Sequence, residues 1–234
     1  MTMFDRSDSN GYRVVDRWDG GVGWLAYPDE AGQRASHLVV GDDGVWLFDP
    51  LDAPGVNDLI SEFGSVAGVA VFSDYHARDA DVFAERYGVP VSMPPWMKRL
   101  ESRLDAPVDR YTGPLGESGF SVRRYTPFPG WAETLAYRES DRTLYIPEVL
   151  GTAPIFTVAD ERIGVYLLQR PRPPSGLFEG YDPDRLIVGH GTGVFDDASA
   201  ALDDALAGAR RRLPTALVQN GLPQVRALVE ALGP

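Results

Sequence analysis

The chain has 234 residues, of which 34 are acidic and 22 basic, giving a formal charge of −12. It has no cysteine, which excludes disulfides, thiolate ligands and a thiol nucleophile, and three histidines, His37, His76 and His190, which set a ceiling on imidazole chemistry. The negative charge argues against a nucleic-acid surface, and no apolar run reaches the roughly 18 to 20 residues that cross a bilayer.

Residues 1–12 are polar and rich in Ser, Asp, Asn and Gly, which predicts a disordered segment ahead of one domain spanning 13–234. Short apolar runs follow. Gly23–Tyr27 and His37–Val40 read as strands, and Gly41-Asp42-Asp43-Gly44 is a hairpin signal that returns the chain into Val45–Phe48, ending at Asp49-Pro50. Pro54 to Phe63 places Val56, Leu59, Ile60 and Phe63 on one helical face. Val66–Phe72 is a strand of small apolar residues, Asp79–Tyr87 a helix closed by Gly88, and Val89–Met93 another strand. This strand–helix alternation predicts an α/β layer. Later, Phe120–Tyr125, Thr134–Tyr137, Thr143–Pro147 and Arg185–Val188 read as strands, and Asp196–Arg212 and Leu222–Leu232 as two separate helices.

Chemistry-bearing residues gather just after strands, where α/β sheets place their ligands. Ser73-Asp74-Tyr75-His76-Ala77-Arg78-Asp79 holds two carboxylates, an imidazole and a guanidinium. Glu148 ends Thr143–Ile146, and His190 lies between glycines after Leu186–Val188. A mixed imidazole and oxygen set of this kind suits zinc, manganese or iron. The same residues also make ordinary hydrogen-bonded networks. No Gly-x-Ser-x-Gly elbow, dinucleotide fingerprint or phosphate loop is present.

From about residue 13 to residue 212, the order of these pieces resembles the metallo-β-lactamase superfamily. The resemblance rests on Ser36–Val40 with Trp46–Pro50, on Val71–Asp79, on Pro129-Gly130-Trp131 with Leu135–Tyr137, on Thr143–Glu148, and on Leu186–Gly191. It implies an α/β fold, an αββα four-layer sandwich of two mixed sheets with the active site along one sheet edge. It also implies ligand positions. His76 and His190 keep theirs, Asp74 and Asp79 stand for histidines, Glu148 stands for the bridging aspartate, and Arg78 and Trp131 stand where ligands are expected but cannot coordinate.

Two functions follow from the resemblance. One is a hydrolase with a modified mononuclear site, with His76, Asp79, Glu148 and His190 as metal ligands and Asp74 as the base. The other is a non-catalytic binding or scaffold protein in which Arg78 replaces the cation by pairing with Asp74, Asp79 or Glu148. In that second form a small-molecule ligand would meet Arg78, Trp131 and Tyr75. The replaced ligands tip the balance toward no tightly held metal, with one divalent zinc, manganese or iron ion as the alternative. Neither a nucleic-acid nor a membrane partner is expected. The polar start, without a signal region, predicts a cytoplasmic protein. The single lysine, Lys98, and the excess of acids fit a halophile's salty cytoplasm, although a GC-rich genome gives the same arginine bias.

Overall fold

The computed structural model describes residues 3–232, and within that span the side chains of all but 223 and 225–232. One sheet has seven strands in sequential order: β1 (Arg13–Trp18), β2 (Gly21–Leu25), β3 (Ala35–Val40), β4 (Val45–Phe48), β5 (Val66–Ala70), β6 (Val91–Met93) and β7 (Val108–Arg110). Strands β1 to β4 are antiparallel, and β4 to β7 are parallel. The second sheet is built from β8 (Ser121–Phe128), β9 (Trp131–Arg138), β10 (Thr143–Ile146) and β13 (Arg185–Val188), in the order β13-β10-β9-β8. A small ladder joins β11 (Leu150–Gly151) to β12 (Gly164–Val165). The helices are α1 (Val56–Ser61), α2 (Ala80–Tyr87) and α3 (Ala198–Leu232).

Strand alternation assigns each side chain to a layer. On β4, Val45 and Leu47 face α1 and α2, whereas Trp46 and Phe48 face the other sheet. On β10, Leu144 and Ile146 pack toward α3 with Leu202, Ala205 and Leu206, whereas Tyr145 turns inward. Phe48, Phe72, Phe120 and Tyr145 fill the space between the sheets, with ring centroids 4.6 to 5.5 Å apart. The result is helix, sheet, sheet, helix, the four-layer arrangement expected above. No helix among the described residues is long and apolar enough to cross a membrane.

The structure corrects two local readings. Asp196–Arg212 and Leu222–Leu232 read as two separate helices, yet α3, which contains Pro214, is one continuous helix of 35 residues. A proline inside a helix removes one donor, but tertiary bonds hold this part of α3 in place. Gln224 accepts from Leu167 N–H and donates to Ile155 O, and Asn220 donates to Thr157 O. At the other end, residues 3–12 are polar but are not left loose. Met3 is buried, Ser9 donates to Ala26 O, and Tyr27 donates to Ser7 O. The strand β1 escaped the sequence reading because as an edge strand it is half polar, and β7, β11 and β12 because they are two or three residues long.

Candidate metal centre

Three strand ends meet at the edge of the sandwich. The loop after β5 carries His76, the end of β10 carries Glu148, and the end of β13 carries His190. Parallel pairing of β10 with β13 puts Ile146 opposite Val188, so both chains leave the sheet side by side. Gly189 permits the close approach, since a Cβ there would stand 2.2 Å from Pro147 O and 3.0 Å from His76 Cε1.

One ligand atom each from His76, Glu148 and His190 lie within 4.8 Å of one another. The far nitrogen of each imidazole is already held. His76 Nδ1 is 2.7 Å from Asp49 Oδ2, and His190 Nδ1 is 2.6 Å from Gly32 O. These partners accept, so both Nδ1 atoms carry the proton and both Nε2 atoms face Glu148, at 2.7 Å from His76 and 3.4 Å from His190. Carboxylate and carbonyl partners behind imidazoles are the support that metal-binding histidines use. His190 Nε2 has no hydrogen-bond partner among the described residues. A lone pair facing a carboxylate at this distance calls for a proton or a cation between them.

Asp49 is the hub behind the centre. Its carboxylate accepts from Phe72 N–H at 2.9 Å, from the Tyr145 hydroxyl at 2.5 Å and from His76. Burial pushes its pKa up, but the charge and hydrogen bond of His76 outweigh that, and the pKa lies below the usual value. Burial also opposes ionisation of Glu148, and His190 and His76 outweigh it, so its pKa is lowered too. For His76, burial and the Arg78 charge oppose protonation, while Asp49 and Glu148 prevail and raise its pKa. Glu133, on β9, is fully buried. It accepts Glu148 N–H and Val149 N–H with one oxygen, and its other oxygen has no partner among the described residues. Burial, with the Glu148 charge adding, raises its pKa well above the carboxylate range. A lone glutamate within the run Trp131–Tyr137, otherwise almost free of charge, was the sequence signal for this residue.

The remaining candidates are placed differently. Asp74 lies outside the group of three. One of its oxygens accepts Ala132 N–H at 2.8 Å, and burial raises its pKa. Asp79 also lies outside, accepting Asp52 N–H at 2.7 Å, so the four-ligand set expected from the sequence is three here. Arg78 pairs with none of Asp74, Asp79 or Glu148 among the described residues. It donates instead to three main-chain carbonyls, Ala35 O at 2.5 Å, Asp49 O at 2.8 Å and Gly189 O at 3.1 Å, and its Nη2 lies 3.2 Å from His76 Nε2. Trp131 and Tyr75 stack edge to face at 5.2 Å, and Trp131 continues onto Tyr166 at 5.4 Å, forming an aromatic wall beside the centre. His37, remote from ligand duty, is bonded to Val188 O, and burial lowers its pKa to about 4.

Backbone strain concentrates here. Six non-glycine residues among those described have left-handed φ, and three of them, Gln33, Asp49 and Arg78, border the centre. Such conformations persist where surrounding structure over-determines them.

The loop after His190 is anchored from the far edge of the other sheet. Both carboxylate oxygens of Asp16, buried on β1, accept Gly193 N–H at 2.8 and 2.9 Å. Burial raises the Asp16 pKa to about 6, the Gly193 bond opposing it. An acid whose pKa rises on folding binds more protons when folded, so stability falls as pH climbs from the unfolded value of about 4 to about 6, and the loss is complete above that. Asp16→Asn keeps an acceptor for Gly193 without the charge. It is expected to stabilise the protein by about 1 to 3 kcal/mol at pH 7.5 and by nothing at pH 4, read by thermal melts at both pH values. Equal melting temperatures for variant and parent at pH 7.5 would refute it.

No protein-family model matches the chain, and no curated protein matches it in sequence. Solved structures do resemble it. The DIM-1 metallo-β-lactamase exposed to ceftazidime superposes with a TM-score of 0.61 at 13% identity, covering 90% of this chain and 100% of its own. A metallo-β-lactamase from Pontibacter korlensis gives 0.60 at 15% identity, covering 87% and 99%. A putative diflavin flavoprotein A 5, fragment 1–254, from Nostoc sp. PCC 7120 gives 0.61 at 14% identity, covering 89% and 100%. The chain therefore has the metallo-β-lactamase fold.

Proposed function

We propose that this chain is a metal-dependent hydrolase of modified design that works with one divalent cation held by His76, Glu148 and His190. The observation that carries the reading is the convergence of those three ligand atoms within 4.8 Å, with both imidazoles oriented from behind by Asp49 and Gly32. Two imidazoles and one carboxylate fit zinc, manganese or iron, and three protein ligands leave coordination positions open. When bound, such an ion polarises an ester, amide or phosphoryl oxygen and lowers the pKa of a water. The chain's own groups have separate tasks. Asp49 and Gly32 O fix which nitrogen of each histidine carries the proton. Glu133 holds the backbone of Glu148 and Val149, which sets the carboxylate's height. The wall of Tyr75, Trp131 and Tyr166 excludes water on one side. Asp74 ties the His76 loop to β9 through Ala132 rather than acting as the base.

The test is metal titration of chelator-stripped protein. One equivalent of zinc, manganese or ferrous iron is expected to bind, followed by turnover of an ester or phosphoester from a chromogenic panel. Absence of binding for all three metals sinks the reading.

A second reading has its own observation. Arg78 already closes the carbonyls of Ala35, Asp49 and Gly189 around a positive charge, which holds the same loops without a cation. In that reading the protein binds a small molecule at the aromatic wall and catalyses nothing.

A further inference from the structure

The imidazoles of His76 and His190 are almost completely covered, with side-chain exposures of 4% each. Part of that cover is the chain's own N-terminal segment. Met3 packs in one buried cluster with Trp131, Ile155, Phe156 and Tyr166, and Phe4 packs against it. The Phe4 ring stands 6.3 Å from the His190 ring and Phe156 stands 5.4 Å from it, so this cluster borders the metal centre directly.

The segment is fastened along the 30–34 turn. Gly32 N–H donates to Met3 O at 3.0 Å, Asp5 N–H donates to Glu30 Oε2 at 2.9 Å, and Arg34 Nη2 donates to Asp5 O at 2.6 Å. Gly32 makes the seat, since a Cβ there would stand 2.5 Å from the Phe4 ring and 3.0 Å from Met3 O. The same residue's carbonyl takes the Nδ1 proton of His190. One peptide unit thus holds the segment with its N–H and a candidate ligand with its C=O.

The fit is apolar but incomplete. The indole N–H of Trp131 is buried within this cluster and has no acceptor among the described residues. Met3 and Phe4 cover the apolar surface and leave that donor unanswered. A buried donor without a partner is costly, and a ligand that brought an acceptor would relieve it.

We propose that Met3 and Phe4 plug a ligand pocket walled by Trp131, Ile155, Phe156 and Tyr166. Its proper occupant is an apolar acyl or aryl group carrying a hydrogen-bond acceptor for Trp131. The inference rests on the metal-centre reading for what the pocket serves, and on the packing alone for the pocket itself. The plug makes the centre accessible only in the fraction of molecules whose segment has lifted.

The experiment compares the full chain with a Met3→Gly, Phe4→Gly double variant, using the fluorescent probe anilinonaphthalene sulfonate and zinc separately. The variant is expected to bind the probe about tenfold more tightly, as for a site its own chain keeps closed about nine-tenths of the time. Zinc uptake is expected to accelerate by a similar factor, with the near-UV circular dichroism and a cooperative melt retained. Adding Trp131→Phe is expected to reverse the gain in probe binding. Gly32→Ala, which displaces the segment without altering its sequence, is expected to reproduce the gain and stands in if the double variant does not fold. Probe affinity equal to that of the parent in both opened variants overturns the proposal. If zinc binds neither parent nor variant, the metal reading fails, and the probe comparison still decides the plug.

Discussion

Replacing Glu148 by glutamine is expected to lower zinc affinity by about 100-fold or more, a larger loss than the 10- to 100-fold typical of a supporting residue. The substitution is nearly isosteric, so the fold stays and the cause is chemical. Glutamine keeps an oxygen but removes the charge that faces both His76 and His190. Burial penalises the ionised Glu148, and the two histidines reverse that penalty, so the carboxylate is an anion kept ready for a cation. Isothermal titration with zinc reads the result directly, and a melt in chelator controls for folding. An affinity within a few-fold of the parent's would show that the cation, if any, is held elsewhere.

Arg78→Ala is expected to destabilise the protein by about 3 to 5 kcal/mol, because each of three charge-assisted bonds to carbonyls contributes on the order of 1.5 to 3 kcal/mol and the three are not additive. For a domain of this size that is a fall in melting temperature of about 10 °C. Arg78→Lys is expected to recover little, since a point charge on a flexible stem cannot span three carbonyls as the planar fork does. Zinc affinity is expected to rise in Arg78→Ala, because a fixed positive charge 3.2 Å from His76 Nε2 is gone. The two functional readings part here. If Arg78 is the built-in substitute for a cation, zinc restores the stability of the variant and does nothing for the parent; if the centre binds metal beside Arg78, zinc stabilises the parent as well. An unchanged melting temperature would show that the three carbonyl contacts contribute nothing.

Much of this was legible in the residues. The alternation of Val45-Trp46-Leu47-Phe48 and Leu144-Tyr145-Ile146 encodes two buried faces per strand, and a strand buried on both faces belongs between layers. The positions of His76, Glu148 and His190 after apolar strands marked three loops that the fold brings together. Partner choice was not legible. Arg78 sits among five acidic or imidazole neighbours in sequence and in the resemblance, so a carboxylate partner was the natural reading. Its left-handed backbone instead turns the guanidinium into a ring of carbonyls. Asp79 carried the right chemistry, but the start of α2 turned it toward Asp52. Gly32 and Glu133 went unread because one acts through its carbonyl and the other from inside a strand, and neither role leaves a motif. The polar opening segment was misread because composition reports average solubility, whereas Met3 and Phe4 are held by a specific seat at Gly32.

The bonds that finish the centre span almost the whole chain. His190 reaches Gly32 across 158 positions, and Gly193 reaches Asp16 across 177. At about 5 to 20 residues per second of synthesis, the turn at Gly32 waits roughly 10 to 30 s for its partner to be made. Within that interval the cluster of Phe48 and Phe72 stays partly uncovered until first Tyr145 and then Ile187 are made. The centre therefore waits for the end of β13, with only α3 and its lead-in still to be made. A chain interrupted anywhere before β13 has no such centre.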